Sequence, residues 1–149
     1  MTRWLSSWDI IKIMQTLAGF REKAHIADWE LEVWAPNLAA LFEQAARGMY
    51  AQAGVRLQPA PRQTRRLELS AIDAESLLVR FLEELLYLQS IKGLAFDVFD
   101  LQITEYALRA ELVGALISSL DKEIKAVTYH KLKIRQGQRG LVVKIVFDV

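Results

Sequence analysis

The sequence predicts an α+β fold, with two helices packed on one face of a mostly antiparallel sheet, in the order strand-helix-strand-helix followed by about four strands. Two segments space their apolar residues as amphipathic helices do, and several others alternate apolar and polar residues as half-buried strands do. The C-terminal part also contains a glycine-bearing turn between two alternating segments, which is typical of an antiparallel hairpin.

The size and composition indicate one folded domain. The chain has 149 residues, of which 52% are hydrophobic and 25% charged, so it can bury a core without covalent staples. A net charge of +1 neither favours nor excludes nucleic acid, because local patches can exist on a neutral whole. The absence of cysteine excludes disulfides, thiolate zinc sites and cysteine nucleophiles. A cysteine-free chain without a signal peptide fits the cytoplasm.

Residues 1–19 are predicted to form an N-terminal extension of uncertain role, outside a single domain at residues 20–149. Asp9, Lys12 and Gln15 interrupt its apolar residues, so it has no signal-peptide core, and it is too short to span a bilayer. It is expected to be an amphipathic helix or the result of a start codon placed too far upstream. No membrane partner is expected.

The first predicted strand opens at His25-Ile26-Ala27-Asp28 and continues to Trp34 by alternation. Asn37 is then a good N-cap for an amphipathic helix that ends near Gly54. A polar arginine-bearing loop follows, and a short strand covers residues 67–70. The arginines of this loop are Arg62, Arg65 and Arg66.

Asp73 is predicted to cap the second helix, and Lys92-Gly93 to end it. Strands are expected over residues 96–103 and 106–112, and a loop or one-turn helix over residues 114–122. The alternation of Lys131, Lys133 and Arg135 with Leu132 and Ile134 predicts another strand, followed by a hairpin turn over residues 136–140. The returning strand places its apolar residues on one face and Asp148 on the opposite face.

Two acidic positions are the best candidates for chemistry. Asp148 lies one residue from the terminal carboxylate of Val149, and Asp28 lies at the start of the first strand. Like charges repel unless a cation lies between them, so a hard, oxygen-liganded metal ion would be the simplest occupant if the two positions meet. Alternatively, Asp28 caps a turn and Asp148 is solvated at a frayed end.

Other candidates have weaker support. A histidine three residues before an acid, as His25 is before Asp28, is more often a hydrogen-bonded structural residue than a ligand. A partner or an oxyanion could be faced by Lys125, Thr128 and His130. A strand with one solvent-exposed face would explain these polar residues equally well. The two basic clusters, in the arginine loop and at residues 131–135, could contact RNA phosphates. A solvated surface explains them better, because exposed aromatic residues interleaved with the basic residues are absent.

The order of several segments resembles the archease family over about residues 20–149. These segments are His25–Trp29, Leu41–Met49, Leu82–Leu88, the Lys125-Ala126-Val127-Thr128-Tyr129-His130 run with Glu123-Ile124 before it, and the closing Val146-Phe147-Asp148-Val149. Ile26 stands where that family usually has Thr, Glu83 stands where Asn is common, and residues 1–19 are additional.

The resemblance implies a protein cofactor and not an enzyme. Archeases are small cytoplasmic proteins that assist the GTP-dependent RNA ligase of tRNA splicing and RNA repair, promoting its guanylylation and multiple turnovers. They bind a divalent metal, seen as calcium, through positions that correspond here to Asp28, Asp148 and Val149. Val149 would contribute a backbone or terminal oxygen. RNA would be contacted only indirectly, through the ligase.

Two other functions remain open from the sequence. One is a chaperone or modulator of a tRNA-modifying enzyme such as a methyltransferase, which would expose apolar surface and would not need the two aspartates. The other is an independent metal-dependent hydrolase, for which the sequence offers no identifiable general base.

Overall fold

A computed structural model describes residues 6–24 and 28–149, with the backbone alone at residues 11–12, 14–16, 23–24 and 28. The elements in chain order are α1 Ser7–Leu17, β1 Gly19–Ala24, β2 Asp28–Ala35, α2 Leu38–Ala53, β3 Arg56–Leu57, β4 Gln63–Ser70, α3 Ala74–Lys92, β5 Leu94–Thr104, β6 Ala107–Ser119, β7 Ala126–Thr128, β8 Arg135–Gly137 and β9 Gly140–Asp148. Three helices accompany strands whose described pairs are all antiparallel, which confirms the predicted α+β class.

The described strands form two antiparallel sheets. The first sheet has the order β1-β2-β9-β7, and β8 also pairs with β9; the second is built on β6, which pairs with β3, β4 and β5. Helix α2 packs on β1, β2 and β9 of the first sheet and on β5 of the second, while α3 contacts β7 as well as β4, β5 and β6. The core therefore lies where both helices meet both sheets, and the Phe42 and Phe81 rings stack there with centroids 5.8 Å apart.

The predicted ends of α2 and α3 are confirmed. Asn37 Oδ1 accepts a hydrogen bond from the Ala40 N–H at 2.9 Å, and Asp73 Oδ1 accepts one from the Ser76 N–H at 2.8 Å. Gly54 and Gly93 end the two helices in the left-handed conformation, with φ of 68° and 65°. Local capping chemistry therefore sets both helix boundaries.

The N-terminal part contains two elements. Helix α1 has exposed apolar side chains, including Trp8, which is 72% exposed, and the division of the chain at residue 19 stays a prediction. Strand β1 is absent from the sequence prediction. It is an edge strand with three consecutive charged residues, Arg21, Glu22 and Lys23, so it lacks the alternation of a half-buried strand.

Three further sequence predictions are wrong. Strand β4 begins at Gln63, so Arg65 and Arg66 lie in a strand and not in a loop. Residues 114–119 continue β6, because Gly114 is not a break: a Cβ there would lie 1.9 Å from the Ala95 carbonyl oxygen of β5. Residues 131–134 are not a strand, and Lys131 has a φ of 52°.

Within the described residues, no helix combines the length and apolar character needed to cross a bilayer.

Candidate metal centre

The ladder of the first sheet brings the two predicted acidic positions directly opposite each other. Asp28, the first residue of β2, pairs with Asp148, the last residue of β9, and Asp148 pairs on its other side with Ala126 of β7. Directly opposed residues of an antiparallel pair lie on the same face of a sheet. Asp28 and Asp148 therefore share one face at one end of these strands.

Asp148 is exposed on this face, and its neighbours hold the strand end in place. Phe147 is fully buried, and Val149 is partly buried against the core. The Asp148 carbonyl oxygen accepts a hydrogen bond from the Lys125 N–H at 2.8 Å. The predicted alternation along β9 is thus confirmed, and the end of the strand is packed and hydrogen-bonded.

The donor atoms at this end of the sheet are of the type that hard cations prefer. Aspartate carboxylates and main-chain carbonyl oxygens suit calcium or magnesium, and the aliphatic side chain of Val149 leaves only main-chain oxygens for that residue. Calcium takes about six to eight oxygens, so water or other groups would complete the shell. Among side chains that the structure describes, which do not include Asp28, no group of three or more His, Asp or Glu residues forms a metal-sized cluster.

The predicted site omits Glu30, which lies two residues along β2 from Asp28 and therefore on the same face. Glu30 opposes Val146 in the ladder, is half-buried and already has an interaction partner. The period-two count that separates Asp148 from Phe147 could also have identified Glu30, because strand residues two positions apart share a face.

The histidines are less informative. His25 and Ile26 lie outside the described residues. His130 is exposed, and its main-chain N–H donates a hydrogen bond to Thr128 Oγ1 at 3.3 Å. Lys125 is also exposed, so these polar groups lie on a wet surface beside β7.

Two residues of the predicted arginine loop form surface ion pairs. Arg62 pairs with Asp97, and the hydrogen bond to this carboxylate raises the pKa of the Arg62 guanidinium. Arg66 pairs with Glu111 at 3.3 Å. Because carboxylates from β5 and β6 face these arginines, this surface does not attract phosphate as an unpaired cluster would.

Comparisons with known proteins match this chain to one protein family. The sequence profile of the Archease protein family (MTH1598/TM1083) matches residues 20–149. The protein archease of Thermococcus kodakarensis is 32% identical over 124 residues, covering 78% of this chain and 87% of the relative. The protein archease of Methanosarcina barkeri is 31% identical over 134 residues, covering 84% of this chain and 92% of the relative. Neither name states a catalysed reaction.

Solved structures share the fold. The solution structure of protein 1598 from Methanobacterium thermoautotrophicum superposes with a TM-score of 0.65 at 23% identity, covering 88% of this chain and 99% of the other. A Thermotoga maritima crystal structure, called "an archease, possible chaperone", gives a TM-score of 0.62 at 22% identity, covering 85% and 97% of the two chains. At these identities the likeness concerns the fold alone.

Proposed function

The chain belongs to the archease family, and from this membership and the paired acidic positions we propose that it is a metal-binding accessory protein that activates a GTP-dependent RNA ligase. In this role it promotes guanylylation of the ligase and multiple turnovers in tRNA splicing or RNA repair, without catalysing a reaction itself. The proposed metal is calcium, held by Asp28, Asp148 and Val149.

The register between Asp28 and Asp148 is the observation that carries the proposal. Cβ atoms of directly opposed strand residues lie about 4.5–5.5 Å apart, so two carboxylates at such positions repel each other unless a cation is shared between them. The Lys125 N–H bond to the Asp148 carbonyl and the packing of Val149 hold the strand end against fraying. These residues therefore support a preformed rather than an adventitious site.

The chemistry of the proposed site suits a nucleotide-transfer partner. A bound divalent cation neutralises phosphate charge, and neutralisation of this kind assists phosphoryl and nucleotidyl transfer. The protein's own residues would position that charge at an exposed end of the sheet, where Asp148 is accessible to another protein. A partner's nucleotide pocket could therefore approach it.

The test compares the stimulation of a purified GTP-dependent RNA ligase by three variants. Asp28→Asn and Asp148→Asn remove one carboxylate each at nearly constant size, whereas Asp100→Asn makes the same change at an exposed position of β5 in the other sheet. We expect the first two variants to lose the stimulation of ligase guanylylation and of product formed per ligase, and Asp100→Asn to retain it. Full stimulation by both site variants would exclude the proposed role.

A second function, a chaperone of a tRNA-modifying enzyme such as a methyltransferase, is favoured by one feature. On α3, Tyr87 is 55% exposed and Ile91 is 60% exposed, and they border a groove of about 330 Å³ beside Ala126 of β7. Exposed apolar side chains that lie together can bind apolar segments of another protein.

Light scattering from an aggregating methyltransferase distinguishes this function. If the protein acts as a chaperone, Asp28→Asn should suppress aggregation as the wild type does, whereas a Tyr87→Ser, Ile91→Ser double variant should not. Loss of suppression in Asp28→Asn alone would contradict a metal-independent chaperone.

A further inference from the structure

A second polar site lies along the same face of β9. A pocket of about 310 Å³ has four cationic side chains around an apolar floor, and its lining residues are Lys131, Lys133, Arg135, Lys144, Val142 and Val143. We call it the basic pocket. Lys144 and Asp148 are four residues apart on one strand face, which at about 3.3 Å per residue separates the basic pocket from the candidate metal centre by roughly 13 Å.

The segment that supplies most of these cations is anchored to the fold. Leu132 and Ile134 are partly buried against the core. The Leu132 N–H donates to the Tyr129 carbonyl at 3.1 Å, and the Ile134 N–H donates to Glu75 Oε2, in the first turn of α3, at 3.2 Å. The alternation of apolar and basic residues over 131–135 therefore does not come from a strand. The apolar residues anchor the segment to the core, and the lysines between them are exposed.

The charge of the basic pocket is not cancelled by ion pairs. Within the described part of the chain, none of its four cationic side chains lies within salt-bridge distance of a carboxylate. Glu32 opposes Lys144 in the ladder and is the acidic residue that faces it across β2 and β9, but it interacts with another group. Arg62 and Arg66, in contrast, form ion pairs with Asp97 and Glu111.

Two aromatic residues are neighbours of the lining residues of the basic pocket, one along the chain and one across the ladder, which corrects the sequence interpretation that aromatic residues are absent among these cations. Tyr129 is 57% exposed and lies two residues before Lys131. On the side of β9 away from β8, Trp34 opposes Val142, and the guanidinium of Arg139 lies 5.3 Å from the centre of the Trp34 ring. Cations that contact phosphates beside aromatic rings that stack on bases are the combination by which proteins bind single-stranded nucleic acid.

We propose that the basic pocket binds the phosphate backbone of single-stranded RNA directly, with Tyr129 as a stacking platform for a base. The choice of RNA over DNA rests on the proposed ligase-related function, but the binding requires neither the metal nor the ligase. The protein would then contact the ligase's substrate itself, on the face that also carries Asp148.

The test measures fluorescence anisotropy of a labelled 12-nucleotide single-stranded RNA with the protein alone, in a chelator. Four phosphate contacts predict a slope of about −2.8 for log K against log salt, or about 50-fold weaker binding at 200 mM than at 50 mM salt. The double variant Lys131→Gln, Lys133→Gln should reduce the slope to about −1.4. The control Lys92→Gln, Lys122→Gln removes two exposed lysines elsewhere and should bind as the wild type does.

Stacking is tested separately from charge. Tyr129→Ala should weaken binding about tenfold with an unchanged salt slope, and Tyr129→Phe should bind as the wild type does, because stacking needs the ring and not the hydroxyl. Undetectable RNA binding at 50 mM salt would overturn the proposal, and so would equal effects of the two lysine double variants. Binding of the protein to phosphatidylserine vesicles but not to the RNA would also overturn it. Because the ligase and the metal are absent, none of these results bears on ligase activation.

Discussion

Calcium should stabilise this protein through Asp148, and the substitution Asp148→Asn should have opposite effects with and without the metal. In chelator the variant removes one of two opposed negative charges. In calcium it would instead remove one ligand of the proposed site. A change of sign between the two conditions is therefore the signature of a shared site, and a purely structural role of Asp148 would not produce it.

The size of each effect can be worked out from the ladder and the chain length. Two unit charges at about 5 Å, the general Cβ separation of directly opposed strand residues, repel by about 0.8 kcal/mol in water and about 3 kcal/mol at an effective dielectric constant of 20, and the exposure of Asp148 favours the lower figure. Calcium at about one hundred times its Kd adds about 2.7 kcal/mol to the free energy of unfolding. For 149 residues, 1 kcal/mol corresponds to about 3 °C, so the wild type should gain about 8 °C in Tm.

Thermal unfolding followed by circular dichroism, in chelator and in excess calcium, measures both effects. The wild type should melt about 8 °C higher in calcium, while Asp148→Asn should be at least as stable as the wild type in chelator and gain little from calcium. Asp100→Asn should respond to calcium as the wild type does. An unchanged wild-type Tm in calcium, or an equal calcium shift in Asp148→Asn, would refute the reasoning.

Three further predictions concern the fold. Gly114→Ala should lower the free energy of unfolding in urea by about 2 kcal/mol or more, because the new methyl group would meet the Ala95 carbonyl oxygen at 1.9 Å; a cost below about 0.5 kcal/mol would contradict this packing. Burial raises the pKa of the Tyr50 hydroxyl above its usual 10.0, so stability should fall as the pH rises above 10, and Tyr50→Phe should lose less in alkaline urea titrations. The hydrogen bond from the Ser76 N–H lowers the pKa of Asp73 below 3.8, so its contribution is present above that pH and is lost on acidification. Asp73→Asn, which keeps a capping side chain, should therefore lose less stability between pH 6 and pH 3, and an equal loss would contradict the assignment.

The sequence by itself determined the features that depend on near neighbours. Asn37 and Asp73 begin the two long helices, and Gly54 and Gly93 end them, because capping involves atoms only a few residues apart. The alternation along β9 likewise separated buried Phe147 from exposed Asp148. The fold class followed from the order of these local patterns.

Strand pairing was decided only by the tertiary structure. The division into two sheets, the continuation of β6 past Gly114 and the edge strand β1 all depend on partners distant in the chain. A glycine read alone suggests a break, but here it allows the backbone of β5 to approach. Periodicity reports which face of a strand is buried, not which strand lies beside it.

The two polar sites show the same distinction. The sequence identified Asp28 and Asp148 as acidic positions near strand ends, and only the antiparallel register between β2 and β9 made them neighbours. It also identified Lys131, Lys133 and Arg135 as cations, but only the fold added Lys144 from another strand and anchored the segment through core contacts. Residue types and their local spacing are properties of the chain, whereas Asp28 and Asp148 lie more than one hundred positions apart in the chain and become neighbours only through the pairing of β2 with β9.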